Sequence, residues 1–169
     1  MTWEETFTVA LPVAIRRCEE EDLSELEWFG QFAEHRTIIR EAFVRQQRGD
    51  NVMLVADVRG APVGQVWVDL ARKRQEATGV LWAVRVFPWL RRLGIGTRLM
   101  RAAEALLRAR GFERAELGVE KENEAARRFY ERLGYRQVGA RQNVFSYTTP
   151  AGESVRVLLD EWVLRKPLA

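Results

Sequence analysis

Between Val80 and Leu107 the apolar pattern changes its period, and this change constrains the fold more than any other feature of the chain. Val80–Phe87 is rich in Val, Leu and Trp, as a buried strand is. Pro88 ends it, because proline has no N–H to give to a ladder. From Ile95 the repeat becomes about 3.6 residues: Ile95, Leu99, Ala102, Ala103, Leu106 and Leu107 share one face of a helix that Gly111 stops. A short apolar run, Ala115–Val119, follows as a buried strand. Strand, glycine-bearing turn, helix and strand in succession predict an α/β layer in which the turn Arg91-Arg92-Leu93-Gly94-Ile95-Gly96 sits at the mouth of a helix.

The flanking segments extend this layer. Val9–Ile15 reads as a first strand after a polar tail, residues 1–8, expected to be mobile. Helices are expected over Leu23–Phe32 and Thr37–Gln47, ended by Gly49-Asp50-Asn51. Val52–Val58 and Val63–Leu70 read as an antiparallel pair around the turn Arg59-Gly60-Ala61-Pro62, and Asp69–Gly79 as a charged solvent loop. Asn123 caps a second helix whose face carries Ala126, Phe129, Tyr130 and Leu133, with Gly134 as its stop. Asn143–Thr148 and Val155–Leu164 form a hairpin around Pro150-Ala151-Gly152. No repeat or Ser/Gly/Pro linker divides the chain, so residues 1–169 are expected to form a single α/β domain with a mixed sheet rather than a doubly wound one.

Composition narrows the chemistry. One cysteine, Cys18, excludes an internal disulfide framework, fits a reducing cytoplasm, and is expected to be a small buried side chain rather than a nucleophile. One histidine, His35, excludes mechanisms that need two, and no metal is expected. The net charge of +3 is dispersed, which suits an anionic ligand but not nucleic acid. No apolar run is long enough for a membrane span, and the acidic opening Met1–Glu5 lacks the pattern of a secretory signal.

The turn has the parts of a phosphate site. The first turn of a helix carries unpaired N–H groups and the positive end of the dipole. Glycines at 94 and 96 remove side chains that would keep a phosphate from those amides. Arg91 and Arg92 add cationic donors and Thr97 a hydroxyl. The pattern is neither a Walker loop nor the three-glycine dinucleotide fingerprint.

Val86-Phe87-Pro88-Trp89-Leu90-Arg91-Arg92-Leu93-Gly94-Ile95-Gly96-Thr97-Arg98-Leu99-Met100 closely resembles the acetyl-CoA motif of the GCN5-related N-acetyltransferase (GNAT) family. Asn123-x-x-Ala126-x-x-Phe129-Tyr130-x-x-Leu133-Gly134-Tyr135 resembles that family's second motif, and weaker likenesses at both ends extend over nearly the whole chain. The resemblance implies a three-layer α/β sandwich with about seven mostly antiparallel strands and helices on both faces. It implies acetyl-CoA as cosubstrate, with the pantetheine arm on the main chain of Val84 and Val86. The pyrophosphate would then lie on the amides of Arg92, Leu93, Gly94, Ile95, Gly96 and Thr97 beside Arg91. Asn123 would hydrogen-bond the cofactor, and Tyr130 would protonate the departing thiolate. Such proteins commonly pair as homodimers, here through the late hairpin.

The resemblance fails at the base. Where many relatives carry a glutamate, four residues before the valine matching Val86, this chain has Trp82. An amine of pKa about 10.4 costs about 4.6 kcal/mol to deprotonate at pH 7. Asp69, Glu116, Glu120 and Asp160 are candidates, none favoured over water held by main-chain carbonyls. Trp67 and Trp82 are expected to wall an acceptor groove. They favour a small-molecule amine or amino-acid derivative over protein termini or lysines. Arg36, Arg40, Arg45 and Arg48 read as a solvated face. The missing carboxylate leaves one alternative, a CoA-binding sensor without catalysis.

Overall fold

The computed structural model describes residues 2–168. Seven strands form one sheet in the order β1-β2-β3-β4-β5-β7-β6. They are β1 (Ala14–Arg17), β2 (Asn51–Val58), β3 (Ala61–Asp69), β4 (Thr78–Val86), β5 (Arg114–Glu120), β6 (Arg136–Thr148) and β7 (Ser154–Pro167). Every pairing is antiparallel except that of β4 with β5, which the helix α3 (Ile95–Ala109) bridges as a crossover. The helices α1 (Asp22–Glu25) and α2 (Arg36–Gln47) cover one face of the sheet. The opposite face is covered by α3 and α4 (Glu124–Arg132). Among the described residues no helix is long and apolar enough to cross a membrane.

The central strands read as continuous apolar runs because both of their faces are covered. In β2, Val52, Leu54 and Ala56 enter the core beneath α3, while Met53 and Val55 enter the core beneath α2. Leu99, Met100, Ala103 and Leu107 of α3 are fully buried, and Gly79 is bare because a Cβ there would lie 2.2 Å from Leu107. Cys18 is buried, as expected.

Three sequence expectations are corrected. The first strand is Ala14–Arg17 rather than Val9–Ile15: Ala14 already pairs with Asp57 at the end of β2, so residues further upstream overshoot the strand they would pair with. The expected helix Leu23–Phe32 is one turn, Asp22–Glu25, because Trp28 and Phe29 take positive φ values of 44° and 57°. The indole of Trp28 is anchored there, donating to Pro62 O at 2.9 Å. The late strands are longer than expected and pair from Arg136↔Arg165 to Thr148↔Ser154.

A buried carboxylate pins the middle of the sheet. Glu116 of β5 is fully buried, meets Lys73 Nζ at 2.8 Å and accepts from Arg165 Nη2 at 2.8 Å. Burial pushes its pKa up, but those two cations outweigh burial and hold it below the ordinary value. A lowered folded pKa stabilises the protein above the unfolded pKa, and that stability is lost as pH falls through the folded value. Glu116→Gln is therefore expected to cost about 2 kcal/mol at pH 7 by stranding two half-solvated cations. Thermal melts of the two proteins should draw together as pH falls below the ordinary glutamate range.

Candidate active site

The site begins where two strands part. β4 and β5 pair from Thr78↔Arg114 to Leu81↔Leu117 and no further. Beyond that point β5 stays with β7 as far as Glu120↔Glu161, and β4 stays with β3 as far as Gly64↔Val86. A fork opens between them. The Phe87 N–H donates to Val63 O at 2.7 Å on the β3 side. Since antiparallel ladders use alternate residues, the main-chain groups of Val84 and Val86 face the fork.

β4 is also bulged. Three steps from Trp82 to Arg85 span two from Trp67 to Gln65, and Ala83 takes a φ of 51°. Buried Gln65 holds the bulge by donating from Nε2 to Ala83 O at 3.1 Å. A bulge changes which face later side chains use. Leu81, Val84 and Val86 accordingly pack on the α3 side, while Trp82 and Arg85 share the other.

On one side of the fork lies a cleft of about 610 Å³. Val84, Val86, Arg91, Arg92, Gly94, Gly96, Thr97, Asn123 and Tyr130, all singled out in the sequence, meet in it. The other two expected residues bring no side chain to it: Leu93 is exposed and Ile95 is buried in the core. Gly94 is the N-cap of α3 at φ 81°, preceded by Arg92 at φ 64°, and no side chain caps the helix. The first amides of α3 are thus left without an intrahelical or capping partner. Such a set of donors, rimmed by arginines and with no Cβ at 94 or 96, fits a diphosphate. Arg91 Nε donates to Val86 O at 3.1 Å, which ties the loop to the strand end. Arg132, at the end of α4, adds a cation that the sequence motifs did not indicate.

Asn123 is the N-cap of α4, its Oδ1 accepting from the Ala126 N–H at 3.1 Å. Its Nδ2 remains available for a ligand. Tyr130 is 8% exposed and lies where the cleft meets the space between β4 and β5. Burial pushes its pKa up to about 12, so the phenol is protonated at any physiological pH. Its ring packs at a tilt of 58° against Phe129, whose ring would lie 3.3 Å from a Cβ at Gly96.

The other side of the fork is a groove of about 560 Å³. The indoles of Trp67 and Trp82 wall it as expected, edge to face with ring centres 4.7 Å apart. Phe32, His35 and Phe145 complete its apolar lining. Of the arginines expected to be solvated, Arg36, Arg40 and Arg48 are exposed, Arg36 pairing with Glu27 at the surface, while Arg45 is half-buried and reaches Asp69 Oδ2 at 2.8 Å. Most of the candidate bases are engaged elsewhere. Asp69 is held by Arg45 and by the Ala71 and Arg72 amides, Glu116 by its two cations, and Asp160 by Lys121. Glu120 is exposed at the end of β5.

Glu161 of β7 was not anticipated. It is 8% exposed, and it is the carboxylate, among the described residues, that lines both the aromatic groove and the fork. Gly118 makes room for it, since a Cβ there would come within 2.6 Å of Glu161 Oε1. Arg141 Nε donates to Glu161 Oε2 at 2.8 Å. Glu161 was legible only as an acidic residue in a strand, because its facing depends on the β5–β7 register.

A mixed sheet forked between its two parallel strands, with an uncapped glycine helix terminus at the fork, is an arrangement that suits a ligand with a phosphate end and an extended arm. Residues 15–135 match the model of the Acetyltransferase (GNAT) family, and the chain belongs to that family. It is 35% identical over 96 residues to an uncharacterised N-acetyltransferase of Methanocaldococcus jannaschii, covering 54% of this chain and 42% of the relative. It is 38% identical over 82 residues to a mycothiol acetyltransferase of Beutenbergia cavernae, covering 48% of this chain and 27% of that protein. The matches thus span less than half the length of either curated relative. An N-acetyltransferase structure from Staphylococcus aureus Mu50 superposes with a TM-score of 0.73 at 17% identity, over 94% of this chain and 99% of the other, and shares its fold.

Proposed function

We propose that this chain transfers an acetyl group from acetyl-CoA to an amine by direct attack, the acceptor being a small molecule or amino-acid derivative. The fork carries this reading: between a donor-lined cleft and an aromatic groove it opens a space that shares Val84, Asn123 and Tyr130 with the cleft and Trp82, Ala83 and Glu161 with the groove. The amides from Arg92 to Thr97, with Arg91, hold the pyrophosphate. The open edge at Val84 and Val86 receives the pantetheine arm as an added strand, and Asn123 hydrogen-bonds it. The amine enters from the Trp67–Trp82 groove and attacks the thioester carbonyl, which the Val86 N–H polarises. As the C–S bond breaks, Tyr130 donates its hydrogen bond to the leaving sulfur. The amine proton passes to Glu161, directly or through water.

Incubation with acetyl-CoA and a panel of amines, read as free thiol release, tests this. Calorimetric binding of CoA without thiol release on any amine would make the chain a CoA-binding module instead. For the proton path, Glu161→Gln is expected to lower kcat roughly 10-fold at pH 7, a small loss for a positioned base because Arg141 shares its charge. The loss should shrink as pH rises toward the amine pKa, where the substrate is already the free amine and the one proton it still sheds on forming the amide can pass to solvent or hydroxide. A constant defect from pH 7 to 10 would remove Glu161 from the reaction.

A further inference from the structure

The acceptor groove has a polarity that amine acetylation does not by itself require. Arg85 projects into it because the bulge at Ala83 places it on the same face as Trp82, and its guanidinium lies 3.9 Å from the ring centre of Phe32. Among the described residues no carboxylate pairs with it, and burial alone pushes its pKa down to about 10, so it remains charged. The indole Nε1 atoms of Trp67 and Trp82, in the same groove, are buried without a hydrogen-bond partner. Trp67 is 1% exposed.

The other charges of the groove are engaged or at its rim. Asp69 is bound by Arg45 and two amides, Glu161 by Arg141, and Arg72 is exposed. His35 is held below its ordinary pKa, first by burial and then by the charge of Arg85, and is neutral at pH 7. What remains unsatisfied is a set of donors: one guanidinium and two indole N–H groups. A buried donor without a partner costs free energy that a ligand acceptor recovers, and a planar carboxylate suits a guanidinium fork.

We propose that the acceptor is an amine that also carries a free carboxylate, bound by Arg85 with its apolar body against Trp67, Trp82 and Phe32. The inference rests on the acetyltransferase reading and specifies its substrate as an amino acid with an apolar or aromatic side chain. Arg85 acts as the specificity residue, distinguishing such acids from the amines that lack the carboxylate.

Two measurements on the full chain test it. His35 is the sole histidine, so its ring signal in a proton–carbon NMR titration reports on this groove alone. Saturating 3-phenylpropanoate should raise the His35 pKa by offsetting the field of Arg85, while 3-phenylpropanamide should leave it unmoved. Equal responses to the acid and the amide overturn the anion site. In thiol-release kinetics, a panel of apolar and aromatic amino acids is compared with the corresponding decarboxylated amines. The wild type should favour the acids by about 100-fold in kcat/KM, and Arg85→Gln should reduce that preference to a few-fold, with CoA affinity shifted no more than a few-fold although Arg85 also borders the cleft. Turnover of both classes without preference, or a preference that survives Arg85→Gln, sinks the carboxylate while leaving the transferase standing. If no amine is acetylated and CoA does not bind, the transferase reading fails, and the His35 titration decides the anion site by itself.

Discussion

Gly94→Glu is expected to leave a folded protein that binds CoA about 100-fold more weakly, a loss near 2.7 kcal/mol. Two separate effects act at this position. The first is backbone strain: Gly94 sits at φ 81°, where an L-residue costs about 1–2 kcal/mol. A Cβ there meets nothing within 4 Å, so there is no clash to add to the strain. Strain lowers the melting temperature and has little reason to alter CoA affinity. The second effect is electrostatic. The new carboxylate lies beside the unpaired amides of α3 and can satisfy them itself, as an acidic N-cap does. It thereby competes for the donors the diphosphate needs and repels the diphosphate as well. Gly94→Ala separates the two effects, since it carries the strain without the charge and should change the dissociation constant only a few-fold. Calorimetry with CoA provides the measurement, and the Glu defect should shrink at high salt as the repulsion is screened. Wild-type affinity in Gly94→Glu would show that these amides do not hold the phosphates.

The glycine-loop side of the site could be read from the sequence because its determinants are local. The change of period at Ile95, the glycines at 94 and 96, and the cap at Asn123 each act within a few residues, and the structure keeps all of them. The aromatic groove was only half legible. Trp67 and Trp82 could be paired in advance because they lie opposite each other on adjacent strands. Arg85 could not be placed, because strict alternation from Trp82 puts it on the opposite face, and the Ala83 bulge that reverses this has no glycine to announce it. Glu161 was hidden for a related reason: its position at the fork depends on pairing with a strand some forty residues earlier. The expected helix at Leu23–Phe32 failed through a tertiary contact, the Trp28 indole on Pro62, that overrides a helical pattern. Local chemistry was recoverable, whereas facing and register set by distant partners were not.

Tyr130→Phe is expected to lower kcat about 100-fold while CoA affinity changes no more than a few-fold. The substitution removes one oxygen and keeps the ring, so the tilted contact with Phe129 and the edge contact with Tyr135, with ring centres 5.2 and 6.1 Å away, survive. Stability should therefore change little, and a large loss of turnover reports on the hydroxyl. Its pKa of about 12 sets what the hydroxyl does. A thiol near 8.5, taken from cysteine, is the stronger acid, so handing a full proton to the thiolate runs uphill by about 4.8 kcal/mol. In a buried setting the phenol instead stabilises the developing negative charge on sulfur as a hydrogen-bond donor, and solvent completes the protonation after release. The pH dependence separates the two roles. Because the group stays protonated below pH 12, it contributes no falling limb to the wild-type kcat profile up to pH 10. A fluorinated tyrosine at position 130, whose lower pKa makes it a better donor, should raise kcat at pH 7 and bring a falling limb into the alkaline range. If Tyr130→Phe turns over at the wild-type rate, the phenol is a packing residue and the leaving sulfur needs no donor from this helix.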